Sequence, residues 1–442
     1  MRIFSKKSLG VLLRRATVIA SLVSAAFGAS SCSAGGGNVA ILWTDRPEFA
    51  FYVKYFNATQ DRYVVEVFHH DFPAQRLAER GAGGNAPDIV VASWLQGASS
   101  RGFFRPADSF LRGDDSIGHA FYPRLLDKGN FGGRQYLLPV SFNAPLAVFA
   151  EAQRETVSLR TLGPLTIGLP EMRELGEGFN QRTGAAFTRM GFSPTWDDGF
   201  LLMAATYYRA SFREAAGPLP LEWNSASLVR AMDFVHDWIA ETNSGVRATD
   251  DFAFRFFNVP PANMLLDGRI LLAYMDSSDF FTLAEDRRNR LGFRWIAGLA
   301  GKWETIPLAE CAAYLGLTGS GGSPRAADAF VRWFFRADTQ RTLLERSHKF
   351  RQMETSFGIA GGFSALRQVT EQVFPQFYPD LLGKIPREEF FSPAFVLPGD
   401  WPAIRERVVL PYLGERARRP DGDGLVPLEN RLADWARMNP AR

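Results

Sequence analysis

The sequence predicts an α/β protein made of two packed lobes. Its 442 residues exceed what one hydrophobic core usually serves. Short runs of β-branched and apolar residues alternate with segments of helical spacing, the pattern of a parallel sheet covered by helices. With 46% hydrophobic and 22% charged residues, the composition is that of a globular chain and excludes a disordered or polytopic membrane protein.

The elements follow in order. "VAILW" (39–43) suits a buried strand, and Pro47 opens a helix whose Phe49, Tyr52, Val53 and Phe56 fall at i, i+3, i+4 and i+7. "RYVVEVF" (62–68) is a β-branched strand, "AQRLAER" (74–80) a short helix ended by glycines, and "DIVVAS" (88–93) a second buried strand. Ligand clefts in such sheets lie outside the carboxyl ends of the strands, where Trp43 and Trp94 sit. Further along, "YLLPVSF" and "PLAVFA" are strands, and "SASLVRAMDFVHDWIAET" is a helix. Its buried stripe is Leu228, Met232, Val235 and Ile239, with Asn224 or Ser225 as cap. Gly268 ends a helix before the strand "ILLAYM". "AAYLGLT" (312–318) is another strand, and Ser323-Pro324 opens a helix carrying Phe330, Trp333, Phe334 and Leu344. The last third is helical, proline-punctuated and rich in aromatics, and no internal repeat is present.

The formal charge of +3 is concentrated at the start. Arg2, Lys6, Lys7, Arg14 and Arg15 precede residue 32, and without them 45 basic residues face 47 acidic ones. The body therefore lacks the basic excess that nucleic-acid binding needs. The basic start runs into the apolar stretch "ATVIASLVSAAF" and then the small residues Ala29-Ser30-Ser31 before Cys32. This is an export signal, too short in its apolar part to span a bilayer. It resembles the bacterial lipoprotein signal, although the usual leucine before the cysteine is missing. Residues 1–31 are thus expected to be removed, Cys32 to carry acyl chains that hold a membrane, and residues 32–37 to form a flexible tether.

Catalytic and cofactor signatures are missing. The sequence has no phosphate-cradling G-x-x-x-x-G-K-[ST], no G-x-G-x-x-G after a strand and no G-x-S-x-G. "GAGGNAP" (81–87) precedes a strand and reads as a turn. None of the five histidines forms a metal-binding pair, and His69-His70 would point opposite ways in a strand, so neither metal nor cofactor is expected. Cys311 reads as a buried inert thiol. The carboxylates Asp197-Asp198 beside Trp196, and Asp276 with Asp279, are the material a glycosidase would use. They also suit plain sugar binding, since carboxylates accept hydrogen bonds from hydroxyls while an indole face covers a pyranose.

The order of these segments, a lipoprotein cysteine, "ILW" leading to "YVKYFNATQDRYVVEV", then "APDIVVASW" and "GGRQYLLPVSFNAPLAVF", resembles the family 1 extracellular solute-binding proteins of ABC importers. The similarity extends through "GFSPTWDDGFLL", "MLLDGRILLAYMDSSDF" and "RAADAFVRWFFRADTQ". It implies a bilobal periplasmic-binding-protein-like fold of type II, with two α/β lobes joined by crossing hinge segments and closing on a solute. By this likeness the first lobe takes 38–141 and 305–355, and the second 142–304 and 356–442. "LPVSFNAP" is one crossing and "ETIPLAECAAYLG" the return. The segment "HKFRQMETSFGIAGGFSALRQV" departs from the family pattern. The implied function is capture of a solute, a sugar foremost, for an ABC permease by a monomeric, non-enzymatic lipoprotein at a bacterial membrane, facing periplasm or exterior.

The candidate ligand contacts are Trp196, Asp197 and Asp198 on the polar loop "SPTWDDG", with Trp43 and Trp94 at strand ends. To these are added Asn143 at the crossing, and Tyr274, Asp276 and Ser277 at the end of "ILLAYM". A glycerol phosphate or phosphodiester would instead want arginines, for which Arg46 and Arg351 are available. A glycoside hydrolase or a surface adhesin are the readings from other classes.

Overall fold

The computed structural model describes residues 37–80, 86–113, 116–158, 165–300, 303–419 and 424–439. The expected signal segment, Cys32, most of the tether and the glycine turn at 81–85 lie outside them. The strands that organise the described residues are β1 (Val39–Thr44), β2 (Val64–His69), β3 (Ile89–Ser93), β4 (Leu137–Phe142), β5 (Pro145–Ala150) and β6 (Thr166–Ile167). They continue with β7 (Ala273–Asp276), β8 (Leu291–Ile296), β9 (Trp303–Pro307), β10 (Ala313–Leu317), β11 (Phe363–Ser364) and β12 (Phe391–Ser392).

The first sheet has the order β11-β4-β10-β3-β1-β2. Strands β2, β1 and β3 are parallel, as the βαβαβ pattern requires. Strand β10 then enters antiparallel between β3 and β4. Helix α1 (Glu48–Thr59) covers this sheet with Phe49, Tyr52, Val53 and Phe56, all buried. At about 1.5–3 kcal/mol per buried large side chain, that stripe fixes the helix. Phe49 meets Phe334 at 5.2 Å and Phe56 meets Phe330 at 5.3 Å, so α1 is locked to the later helix at Pro324–Phe334. Leu344, expected on that same helix, belongs to the next one, Ala337–Lys349.

The second sheet, β7-β5-β8-β6, is mostly antiparallel. Two helices serve its site and core, α2 (Asp198–Tyr207) and α3 (Ser225–Asp237). Helix α3 is capped by Asn224, whose side chain accepts from the Ser227 amide, and it buries Leu228, Met232 and Val235; Ile239 is buried on the π-turn that continues it. The strand "ILLAYM" is shorter than expected, because regular pairing begins only at Ala273.

The chain crosses between the sheets at 143–144 and again at 308–312. Asn143 ties these crossings together. Its Nδ2 donates to the Gly361 carbonyl at 2.9 Å, its Oδ1 accepts from the Ser277 hydroxyl at 2.7 Å, and its carbonyl accepts from the Ala309 amide. Residues 356–442 were expected in the second lobe, yet β11 at 363–364 pairs with β4 on the edge of the first sheet. Behind the crossings the aromatic packing is continuous: Phe363 lies 5.7 Å from Phe142 on the first sheet and 5.9 Å from Trp295 on the second.

Candidate ligand-binding cleft

A cavity of about 600 Å³ opens where the carboxyl ends of β3, β7 and β9 converge, of a size that suits a small ligand. Trp94 follows β3 with its backbone at φ 60°, a left-handed conformation that costs a non-glycine residue about 1–2 kcal/mol. The turn that results carries its indole against the second lobe's core. From α2 come Asp197, Leu202, Met203, Thr206 and Tyr207. Asp197 is the helix cap, and its Oδ1 accepts from the Gly199 amide at 2.7 Å. A side chain at 199 would bring a Cβ to 2.9 Å from that oxygen, which explains the glycine.

Strand β7 supplies Tyr274 and Asp276, and Asp279 lies one turn beyond on the short helix α4 (Ser277–Phe281). The return crossing supplies Glu310 and Cys311, and the last third supplies Phe395, Trp401, Arg405 and Glu406. Arg405 pairs with Glu310, Nε to Oε1 at 3.0 Å, and also with Glu406.

The carboxyl of Asp276 in this wall is strongly perturbed. Shielding from water, then the negative charges of Glu310, Asp279 and Asp197, push its pKa up to about 7, opposed by a hydrogen bond from the Tyr274 hydroxyl at 3.4 Å. Asp197 is also raised; water reaches it, but the protein surrounds it on most sides, and the Gly199 and Phe200 amides oppose the shift. Burial likewise pushes the Cys311 thiol up to about 12, so it is no nucleophile at neutral pH.

Of the residues expected to touch ligand, the structure thus brings Trp94, Asp197, Tyr274 and Asp276 to one cavity. The others lie elsewhere. Trp196, the foremost candidate, is packed with its ring stacked on Phe252 at 5.6 Å and tilted against Phe257 at 4.8 Å. The loop has a core to join after all, because both phenylalanines come from around the helix at Val246–Phe256. Asp198 is exposed beyond the cavity wall. Trp43 is buried within the first lobe, edge-on to His70 at 4.8 Å. Asn143 and Ser277 are buried and bonded to each other in the crossing. Arg46 is held by Asp45, the Ser93 hydroxyl and the Cys311 carbonyl behind the wall.

Sequence reasoning missed Tyr207, Glu310, Phe395, Trp401 and Arg405. Glu310 was reachable, since it sits in the expected return crossing. Phe395 is 47% exposed, and Lys128 and Arg213 lie against its ring at 5.0 and 5.9 Å. No group of three or more His, Cys, Asp or Glu among the described residues is arranged to hold a metal ion. A second groove of about 830 Å³ is lined by His119, Arg367, Glu371 and residues 381–383 and 385–389, and no tryptophan or tyrosine lines it.

The architecture can be set against solved structures. An ABC substrate-binding protein from Listeria monocytogenes, in complex with cycloalternan, superposes with a TM-score of 0.61 over 91% of this chain and 99% of its own, at 12% identity. A cyclic alpha-maltosyl-1,6-maltose binding protein from Arthrobacter globiformis gives 0.60 over 92% and 99%, at 15% identity. The fold is that of the bilobal solute-binding proteins. A Thermus thermophilus maltotriose binding protein, bound with maltotriose, matches at 0.53 over 90% and 99%, at 16% identity. No family model and no curated protein sequence matches the chain. Among the described residues no helix is long and apolar enough to cross a membrane.

Proposed function

We propose that this protein captures a saccharide between its lobes and delivers it to the membrane permease of an ABC importer. The observation that carries this reading is the composition of the cleft: the rings of Trp94, Tyr207, Tyr274, Phe395 and Trp401 together with five carboxylates, at the strand ends of a solute-binding fold. Rings cover the C–H faces of a pyranose, and carboxylates accept from its hydroxyls. The solved structures of this fold named above are described as binding oligosaccharides, which agrees with the chemistry of the wall.

The signal segment and Cys32 add the location. The protein is exported, acylated on Cys32 and held at a bacterial membrane facing periplasm or exterior, where it works as a monomer without cofactor. It performs no chemistry on its solute. A phosphate-bearing solute is disfavoured, because the two arginines of the wall, Arg209 and Arg405, face five carboxylates and Arg405 is paired twice.

The test is a panel of mono- and oligosaccharides read by intrinsic fluorescence and melting temperature. A ligand of the native state raises stability by RT ln(1 + [L]/Kd), about 2.7 kcal/mol at a hundredfold excess over Kd. Product formation during incubation would move the protein to the hydrolases.

A further inference from the structure

The two lobes also meet outside the cavity, along a seam of backbone. On the first lobe the seam is the turn that follows β3. Leu95 anchors this turn in the core of the first sheet, and the Ser100 hydroxyl donates to the Leu95 carbonyl at 2.9 Å. The Ser100 and Arg101 amides both donate back to the Gly97 carbonyl, so the turn is held by its own bonds. On the second lobe the seam is residues 396–399. The Glu214 amide donates to the Val396 carbonyl at 2.8 Å, and Leu397 and Trp401 are buried in that lobe's core. Across the seam the Ala98 amide donates to both carboxylate oxygens of Glu214, at 2.9 Å each. Gly97, Ala98, Glu214 and Gly399 form no part of the cavity wall.

A second observation shows what the seam demands of the sequence. Gly97 has φ −59° and ψ 151°, a conformation open to any residue, so nothing in the first lobe's own backbone calls for glycine there. A Cβ at 97 would instead fall 2.9 Å from the Gly399 nitrogen, 3.2 Å from the Leu397 carbonyl oxygen and 3.3 Å from the Pro398 carbonyl carbon. All three are backbone atoms of the second lobe and cannot swing aside as the end of a side chain would. From the other side, a Cβ at Gly399 would come 2.8 Å from the Ser99 hydroxyl. Glycine at 97 is what allows the lobes this approach.

We propose that Gly97 and Glu214 are positioning residues of closure: Gly97 sets how near the lobes come, and Glu214 fastens them by holding the Ala98 amide, so that solute passes only when this seam parts. The proposal rests on capture of a solute between the lobes, as read above, and not on which solute it is. A backbone amide held by a carboxylate is a charge-assisted bond of the stronger kind. It draws nothing from the solute. Opening the cleft breaks this bond and the backbone contact beside it, while both cores stay packed. Weakening the seam therefore raises the open fraction and speeds exchange of whatever the cleft holds.

The experiment uses the full chain without added sugar, carrying Cys32→Ala so that Cys311, which lines the cavity, is the remaining thiol. On this background Gly97→Ala and Glu214→Ala are compared with the parent and with Glu214→Gln, which keeps an oxygen for the Ala98 amide. Hydrogen exchange at the Ala98 amide reads the bond, and labelling of Cys311 by methyl methanethiosulfonate reads access to the cavity. G97A and E214A should each accelerate both by about tenfold or more and enlarge the radius of gyration in small-angle scattering, while the melting temperature changes little. E214Q should fall between them and the parent. If G97A and E214A exchange and label at the parent's rates, or if the parent's Ala98 amide already exchanges as fast as a free one, the proposal falls. The saccharide reading then stands untouched, since the sugar panel tests it separately. Acceleration that comes with a collapsed melting temperature in both variants reports unfolding instead of opening, and overturns the proposal as well.

Discussion

Asp276→Asn should stabilise the protein, and only in a defined pH range. The folded carboxyl titrates near about 7 instead of 3.8, so the folded state holds a proton that the unfolded chain gives up. Between those values the unfolded state binds fewer protons, and stability falls as pH rises. The shift of about three units corresponds to a ceiling of about 4 kcal/mol at about 1.36 kcal/mol per unit. Water in the cleft screens part of it, and we take about 2 kcal/mol above pH 7. Asparagine keeps an oxygen for the Tyr274 hydroxyl and fills the same volume. Nor is a helix cap lost, since Asp276 precedes α4 without a side-chain capping bond. In a chain of this size the gain amounts to about 2 °C in melting temperature at about pH 8, shrinking toward zero near pH 4. Differential scanning calorimetry of both proteins across that range is the assay. A variant no more stable than the parent at the alkaline end, or a gain that does not change with pH, would refute the crowding of negative charge.

Three other expectations are open to direct measurement. Trp196→Ala should cost about 2–4 kcal/mol by chemical denaturation while solute affinity stays within about threefold, because its ring fills space between Phe192, Phe252 and Phe257. The converse pattern would restore it to the binding surface. Phe395→Ala should weaken saccharide binding about tenfold in fluorescence titration with little change in melting, since the exposed ring has lost little water and offers a stacking face. Substituting Cys32 with Ala should move the protein from membrane to soluble fraction on cell fractionation, and retention on the membrane would place the anchor elsewhere.

Periodic segments were legible in the sequence because their signal is local. The four buried residues of α1 and the stripe of α3 follow from helical spacing alone. Short pieces recruited by distant partners were not. Strand β11 is two residues long, too short to show alternation, and its place on the first sheet depends on pairing with β4. The same holds for the site. Trp94, Asp197, Tyr274 and Asp276 stand at the ends or caps of legible elements, so topology delivers them to the cleft. Phe395, Trp401 and Arg405 arrive from a proline-broken stretch with no period of its own. Trp196 reads as a loop residue until Phe252 and Phe257, remote in sequence, are brought against it.

The insertion of β10 between β3 and β4 has a consequence for how the chain is made. The Ser93 hydroxyl at the end of β3 donates to the Cys311 carbonyl just before β10, 218 positions away in the chain. The middle of the first sheet is therefore filled only after most of the polypeptide has left the ribosome. Until then β3 and β4 lack the strand that lies between them, and the edges that β10 covers face solvent. Late closure of this kind ties formation of the first sheet to a pairing distant in sequence, and leaves its strand edges open to wrong partners in the interval.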